Sequence, residues 1–210
     1  TPLISDSGTY VYTEDFQSRN DFRSTSFHNT PCIAKAELNR FLSEDELFIL
    51  RNDAKPKLHS WKTTPKKDIF IGSHDGYERL GGGIIPVRTI VLDKVIHGLI
   101  VRDEFEGDNL HKVTIPFHFV PDTIFTKRND CKWDISITGI KFQLHILEVG
   151  QWKSETRRGW VSKSYGRKIQ RPVLEFTHEG PLSSLIIGIL PDIKNAQLID
   201  TWMKNILAEL

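Results

Sequence analysis

Apolar and polar side chains alternate residue by residue along several stretches of this 210-residue chain. The clearest stretches are 113–119, 133–138 and 140–146, where every second residue is Val, Ile, Leu, Phe or Trp and most residues between them are polar. A period of two residues places alternate side chains on opposite faces of a β-strand. The pattern therefore predicts antiparallel strands, each with one buried face and one solvated face.

Clusters of turn-forming residues separate these predicted strands. They lie at 81–83, 106–109, 128–130 and 179–181 and contain Gly, Asn, Asp or Pro. Strands of this spacing suit two packed sheets, and a chain of this length can enclose one core. We therefore predict an all-β fold, an antiparallel two-sheet β-sandwich over residues 1–191. Residues 1–7 lead directly into what reads as a first strand without a start signal, so we expect further chain before them.

The clearest helical signal is at the C-terminus, over residues 192–210. Asp192 can cap the helix there, and its apolar residues fall on one stripe. The stripe consists of Ile199, Trp202, Met203, Ile206 and Leu210. This pattern predicts a C-terminal α-helix whose apolar side packs on the sandwich or on another subunit.

The charge of the chain is nearly balanced, with 28 Lys and Arg against 27 Asp and Glu and a formal net charge of +1. This balance does not favour nucleic acid or an anionic membrane as a partner, so we expect neither. The longest apolar runs, such as Leu185 to Leu190, are far shorter than the roughly 18 residues of a transmembrane helix. No secretory signal is visible in the chain as given, and the compartment stays open between periplasm and cytoplasm.

The two cysteines and a lysine-rich segment give weaker information. Cys32 and Cys131 form no CxxC pair and are read as two buried thiols, with a disulfide as the alternative. Lys55–Lys67 contains five lysines and two prolines, so it is predicted to be an exposed loop or sheet edge. The alternative is that these lysines grip an acidic polymer.

Common catalytic signatures are absent from the sequence. There is no GxSxG elbow, no phosphate-binding P-loop, no HExxH and no Gly-rich dinucleotide fingerprint. The glycines at 81–83 are not followed by helical periodicity and are read as a turn. The common hydrolase, NTPase, zincin and oxidoreductase classes are therefore disfavoured.

Asp6 and His28 are the first pair that suggests chemistry. They are 22 positions apart, a separation that allows them to meet on adjacent strands. A carboxylate and an imidazole make up half of a zinc site. Residue types alone do not distinguish such a site from an unrelated pair.

Three ordered blocks of sequence resemble the C-terminal portion of heparinase II/III-like polysaccharide lyases. The first runs from Asp6-Ser-Gly-Thr-Tyr-Val-Tyr12 to Arg23-Ser-Thr-Ser-Phe-His28-Asn29-Thr30. The second joins His74-Asp-Gly-Tyr77-Glu-Arg79-Leu80 with the segments 87–90 and 99–107, and the third is 111–121. With weaker similarity further on, the resemblance covers roughly residues 5 to 191.

The resemblance implies that this chain is the C-terminal β-sandwich of a protein whose N-terminal part is an α/α toroid. Such lyases cleave acidic, uronate-containing polysaccharides by β-elimination. In the family the catalytic Tyr, His and Asn or Glu lie at the cleft between toroid and sandwich, and the tyrosine and asparagine belong to the toroid. The histidine comes from a His-x-His stretch upstream of the Asp-x-Gly segment. The resemblance therefore implies that this chain alone is incomplete for catalysis, and no catalytic residue is assigned in it.

The resemblance also implies a structural zinc ion in some members. Its ligands are a histidine of the upstream stretch, the Asp of Asp-x-Gly and the His of His-Asn-Thr, which correspond to Asp6 and His28. One ligand is thus expected upstream of this chain, and its loss should weaken affinity. The same blocks provide candidates for contact with the acidic substrate. These are Arg23, Asn29, Tyr77, Arg79 and Arg88.

Structural roles are the favoured alternative for several of these residues. The arginines suit carboxylate or sulfate groups, but they equally suit neighbouring acidic side chains and loops. His118 alternates with core Phe117 and Phe119, so it is read as a structural histidine. Three tryptophans are interpreted as core or sheet-covering residues in preference to residues that stack on sugar rings. They are Trp133, Trp152 and Trp160.

Two other functions stay open at this point. The chain could be a non-catalytic carbohydrate-binding or scaffold module, which missing catalytic groups and exposed tryptophans would favour. It could also belong to a protein of bacterial capsule or exopolysaccharide assembly, because proteins with similar sequences accompany that process.

Overall fold

Two antiparallel β-sheets form the body of the protein. The computed structural model describes residues 2–108, 110–147, 150, 152–191 and 196–209. The strands are β1 (Cys32–Ile33), β2 (Pro56–Thr63), β3 (Lys67–His74), β4 (Ile85–Asp93), β5 (Gly98–Glu106), β6 (Leu110–His118), β7 (Ile124–Asn129), β8 (Lys132–Ile137), β9 (Ile140–Leu147), β10 (Lys153–Ser164), β11 (Arg167–Pro181) and β12 (Leu185–Pro191). The helices are α1 (Phe16–Arg23), a short 3-10 helix (Thr25–Phe27) and α2 (Ala196–Ala208).

The two sheets pack face to face as predicted. One has four strands in the order β1-β6-β11-β10, and the other has eight in the order β2-β3-β4-β5-β12-β9-β8-β7. The all-β, antiparallel two-sheet β-sandwich with a C-terminal helix is therefore confirmed. The eight-stranded sheet is the wider layer.

The main core lies between the inner faces of the sheets. Ile115 and Phe117 of β6 are paired with Phe176 and Leu174 of β11, and all four are buried. They belong to one apolar cluster with Leu144 and other side chains of the eight-stranded sheet. Burial of one such side chain stabilises the fold by roughly 1.5–3 kcal/mol.

Helix α2 covers the outer face of the larger sheet. Ile199 and Met203 are buried with Ile100 of β5 and Leu190 of β12 in a second apolar cluster. The helix approaches so closely that a Cβ atom on Gly188 would lie 2.6 Å from the sulfur of Met203. The helix therefore packs on the larger sheet, whereas its predicted cap, Asp192, lies outside the described residues.

The prediction that every strand has one solvated face is wrong for the strands that α2 covers. Gly188 and Leu190 face the helix side of β12, while Ile187 and Ile189 lie in the main core. His145 on β9 is likewise only 1% exposed, although its position reads as solvated in the alternating pattern. The reason is that an amphipathic helix takes the place of water on that face.

The N-terminal region is not the pair of strands that the sequence predicted. Residues 16–23 form helix α1, which begins where the Asp15 carboxylate accepts hydrogen bonds from the Ser18 amide at 2.9 Å and from its hydroxyl at 2.7 Å. Such a cap satisfies free amide groups of the first turn and favours helix over strand. Before it, Ile4 and Gly8 make only isolated bridges, to Phe119 and Ser162.

The remaining sequence predictions concern exposure. The segment Lys55–Lys67 contains the edge strand β2, nearly all of whose residues are exposed, as predicted. Trp133 and Trp152 are buried, and Trp160 is half-buried. Cys32 is a buried free thiol, while Cys131 is also free but half-buried, contrary to its reading as a buried residue.

Among the described residues, no helix has the length and apolar character needed to cross a membrane.

Candidate functional site

Asp6 and His28 are in direct contact, although neither lies on a strand. The Nδ1 atom of His28 is 2.6 Å from Oδ1 of Asp6, and the backbone amide of Gly8 donates to Oδ2 of the same carboxylate at 2.9 Å. The hydrogen bond from His28 is the main reason that the pKa of Asp6 falls to about 2. The side chain of Asp6 is 60% exposed and that of His28 is 37% exposed, so the pair is accessible from solvent.

The Asp6 segment is held in place by the guanidinium of Arg171 on β11. Nη1 of Arg171 donates to the carbonyl oxygen of Ser5 at 2.9 Å and to that of Asp6 at 3.2 Å, and Nη2 donates to the hydroxyl of Ser7. Arg171 is only 2% exposed, and this burial lowers its pKa to about 10. It stays charged at neutral pH, and the nearby carboxylate of Asp6 favours that charged form.

Asn29 fixes the position of His28 relative to the four-stranded sheet. Its Nδ2 donates to the carbonyl oxygen of Ser5 at 3.1 Å, and its Oδ1 accepts from the backbone amide of His118 at 2.7 Å. The 3-10 turn before it ends with the His28 amide donating to the carbonyl oxygen of Thr25 at 3.1 Å. Asn29 thus ties both halves of the Asp6–His28 pair to the end of β6.

His118 lies under this pair on the outer face of the four-stranded sheet. It is 1% exposed, and its Nε2 is 3.1 Å from the carbonyl oxygen of Ser26. Because a carbonyl group only accepts, Nε2 carries the proton and Nδ1 is the unprotonated nitrogen. Burial, with the charges of Arg171 and Arg157 as smaller causes, lowers the pKa of His118 to about 3. This neutral, enclosed imidazole agrees with its reading as a structural histidine.

Arg23 and Arg79, two candidates for substrate contact, hold loops together. Arg23 donates to the carbonyl oxygens of Glu46 at 2.8 Å and Ile49 at 3.2 Å, and it lies 4.0 Å above the ring of Phe41. Arg79 is exposed and donates to the carbonyl oxygens of residues 37 and 38. Their hydrogen-bonding groups are directed mainly to the chain itself.

Arg88 and Tyr77 are built into the interior beside Asn29. Arg88 makes a forked pair with the buried carboxylate of Asp103, at 2.6 and 2.8 Å, and also donates to the carbonyl oxygen of Asn29. The hydroxyl of the fully buried Tyr77 donates to the carbonyl oxygen of Pro31 at 2.9 Å. Burial raises the pKa of Tyr77 well above its usual range, so in this structure it does not act as a base.

Arg171 and Arg157 are residues of the site that sequence reasoning missed. Arg157 on β10 donates to Glu175 at 2.6 Å and to the carbonyl oxygen of Ser26 at 3.3 Å, the same oxygen that His118 contacts. Nothing in the local sequence distinguishes these arginines from surface residues on a polar face. Their partners in the N-terminal segment are more than 100 positions away.

The described residues do not form a metal-binding group on their own. Among them, no three His, Cys, Asp or Glu side chains converge in a way that could hold a metal ion. The site is a hydrogen-bonded carboxylate–imidazole pair on a basic, arginine-supported sheet face.

A family model provides the decisive comparison. The model described as Heparinase II/III-like, C-terminal matches residues 1–185. The chain belongs to this family. No curated protein matches the sequence.

Solved structures of heparinases share the fold of this heparinase II/III-like domain. A heparinase III gene product with methylated lysines superposes with a TM-score of 0.72 and 18% identity over 93% of this chain and 28% of its own. The heparan sulfate lyase HepC of Pedobacter heparinus gives 0.69 and 18% over 92% and 29%. Another heparinase III gives 0.71 and 14% over 93% and 28%. At such identities the likeness shows the fold alone, and the chain spans less than a third of these proteins.

Proposed function

We propose that this chain is the C-terminal domain of a polysaccharide lyase that acts by β-elimination on an acidic, uronate-containing polysaccharide. The family match over residues 1–185 carries this proposal. The structures that share the fold include a heparan sulfate lyase, whose chain is more than three times the length covered here. By the same proposal, the rest of the protein includes the N-terminal toroid.

β-Elimination needs three groups around the uronate. A base removes the proton next to the carboxylate, a second group neutralises that carboxylate, and an acid protonates the oxygen of the broken glycosidic bond. In the described part of the chain, the buried His118 and Tyr77 are shielded from substrate, and His28 is engaged with Asp6. We therefore infer that the isolated domain lacks activity and that its partner domain completes the site.

The proposed role of the Asp6–His28 pair is to bind a structural zinc ion with a further ligand from outside the described residues. An imidazole and a carboxylate are suitable donors for zinc, and the exposure of both side chains leaves room for another ligand. The observed 2.6 Å contact is a hydrogen bond, so the pair supplies two donors and not a complete metal site. A bound zinc ion would crosslink the N-terminal segment to the loop after α1.

The proposed activity is tested with the complete gene product on a panel of uronate polymers, including heparan sulfate and alginate. The expected result is a rise in ultraviolet absorbance from the unsaturated product with at least one polymer. No absorbance change with any polymer, from a protein shown to be folded, would contradict the lyase assignment.

The zinc role has a readout that does not depend on activity. Metal content is measured after gel filtration of the complete protein and of its Asp6→Asn and His28→Gln variants, with His59→Gln as the control. We expect zinc in the wild type and the control and its loss in both site variants. Equal zinc content in all four proteins would remove the pair from the ligand set.

A non-catalytic carbohydrate-binding module is the second candidate. It is favoured because His118 and Tyr77, which could otherwise act in catalysis, are buried. Trp133 and Trp152 do not favour it, because both are buried in the core. Binding to polysaccharides without any product formation by the complete protein would support this candidate over the lyase.

A further inference from the structure

A groove rich in arginine opens at the edge of the four-stranded sheet, beside the Arg171 cluster. Its volume is about 550 Å³. The residues that line it are Thr123, Phe125, Thr156, Arg157, Arg158, Gln170, Arg171 and Pro172. Three of these are arginines, and none of these described lining residues is acidic.

The pairing of β10 with β11 divides the three arginines between the two faces of the sheet. Arg158 is opposite Pro172, and Gly159 is opposite Arg171. Because neighbouring residues of a strand point to opposite faces, Arg157 and Arg171 lie on the outer face of the sheet and Arg158 lies on the other. Arg158 and its partner Pro172 therefore share the groove face, whereas the side chains of Arg157 and Arg171 lie on the opposite face.

Only one of the three arginines directs its side chain to the groove face. Arg157 pairs with Glu175, and Arg171 is held mainly by uncharged groups, with Asp6 as the nearby acid that favours its charged form. Among the described residues, Arg158 has neither an acidic partner nor a hydrogen bond, and it is exposed.

We propose that this groove binds the sulfate or carboxylate group of an acidic sugar, with Arg158 making the direct contact. This inference rests on the proposed function and names a substrate-binding position for it. Guanidinium groups match the oxygens of carboxylate and sulfate with paired hydrogen bonds. Thr156 and Gln170, which line the groove on the same face, offer polar side chains beside Arg158.

The apolar lining fits the rest of a sugar. Phe125 and Pro172 are half-buried on the groove wall and present apolar surface to it. Binding sites commonly combine such surface with a few polar groups that fix orientation. A pyranose ring carrying one anionic group satisfies both parts of the lining.

The test measures affinity by calorimetry, using the complete gene product and three probes. The probes are a heparan sulfate octasaccharide, its desulfated counterpart and inorganic sulfate. Arg158→Ala is compared with Arg51→Ala, which removes another exposed arginine. We expect Arg158→Ala to weaken binding of an oligosaccharide about threefold to fivefold, with a smaller salt dependence, while Arg51→Ala binds as the wild type does.

The outcomes separate this inference from the proposed function. A loss confined to the sulfated probe identifies sulfate as the bound group, and a loss with both oligosaccharides identifies the uronate carboxylate. Equal weakening by Arg51→Ala, or no weakening by Arg158→Ala, overturns the groove assignment, as does binding of inorganic sulfate alone. Product formation is followed in parallel, since a lyase with unchanged kinetics in Arg158→Ala would refute only the groove.

Discussion

Protonation of His118 should limit the stability of this domain in mild acid. The side chain is 1% exposed, and its pKa is lowered from the ordinary 6.5 to about 3. The nearest cationic groups are Arg171 and Arg157, which disfavour a second positive charge there. Between these two pKa values, the unfolded chain binds a proton at this position and the folded chain does not.

The sign and size of the effect follow from proton linkage. Because the unfolded state holds more protons, the free energy of unfolding rises with pH in this window and falls as the solution is acidified. From pH 7 to pH 5, a histidine with these two pKa values removes about 2 kcal/mol of stability. That is a large part of the 5–15 kcal/mol typical of a domain.

The assay is urea unfolding of the chain at pH 7, 6 and 5, for the wild type, His118→Gln and His59→Gln. Glutamine keeps a donor for the carbonyl oxygen of Ser26, which His118 contacts at 3.1 Å, but does not titrate. His59 is exposed on β2 and controls for the loss of any histidine. We expect the pH-dependent loss to be about 2 kcal/mol smaller in His118→Gln than in the other two proteins.

Comparison of slopes makes this test independent of packing damage. Substitution of a buried side chain lowers stability at every pH, whereas titration changes only the dependence on pH. Other buried groups contribute equally to all three proteins. Parallel pH profiles for the wild type and His118→Gln would refute the enclosed neutral state of this imidazole.

Three further predictions concern the anchoring of the site and the helix. Arg171→Lys should lower the free energy of unfolding, measured in urea, by about 3 kcal/mol, because an ammonium group cannot reproduce the several hydrogen bonds of the buried guanidinium. A change below about 0.5 kcal/mol would contradict the role of Arg171 as the anchor of the N-terminal segment. Gly188→Ala should lower the free energy of unfolding by about 1–3 kcal/mol, because the added methyl group clashes with Met203. Leu198→Ala, on the exposed side of the helix, is the control. Wild-type stability in Gly188→Ala would mean that the helix shifts without cost. The pKa of Asp6 is depressed, so the stabilisation from its carboxylate is present above pH 4 and lost as pH falls towards 2. Because the side chain is 60% exposed, the loss should be at most about 1 kcal/mol. Acid titration of ellipticity measures this loss, which should vanish in Asp6→Asn.

The strands of this fold could be predicted because their signal is local. Alternation along β6, β8 and β9 reflects which side chain faces the core, and it needs no knowledge of distant residues. Helix α1 was missed because its eight residues are mostly polar, and Phe22 is its single buried apolar side chain. Its start depends on the cap from Asp15, which a search for hydrophobic periodicity does not detect.

The site was predictable only in part. The contact between Asp6 and His28 followed from family resemblance, since their spacing alone was uninformative. Arg171 could not be found because its partners at Ser5 and Ser7 are 166 and 164 positions away. The covered face of β9, which includes His145, was misjudged for a similar reason, because the helix that covers it is distant in sequence.

The long separation between Arg171 and the segment that it holds has a consequence for biosynthesis. Ser5 and Asp6 leave the ribosome some 165 residues before the arginine that anchors them. At about 5–20 residues per second, they wait on the order of ten seconds or more without their anchor. During that interval the segment is open to proteases and to chaperones, and nascent chains stalled before residue 171 should be cleaved there, while released chains are protected.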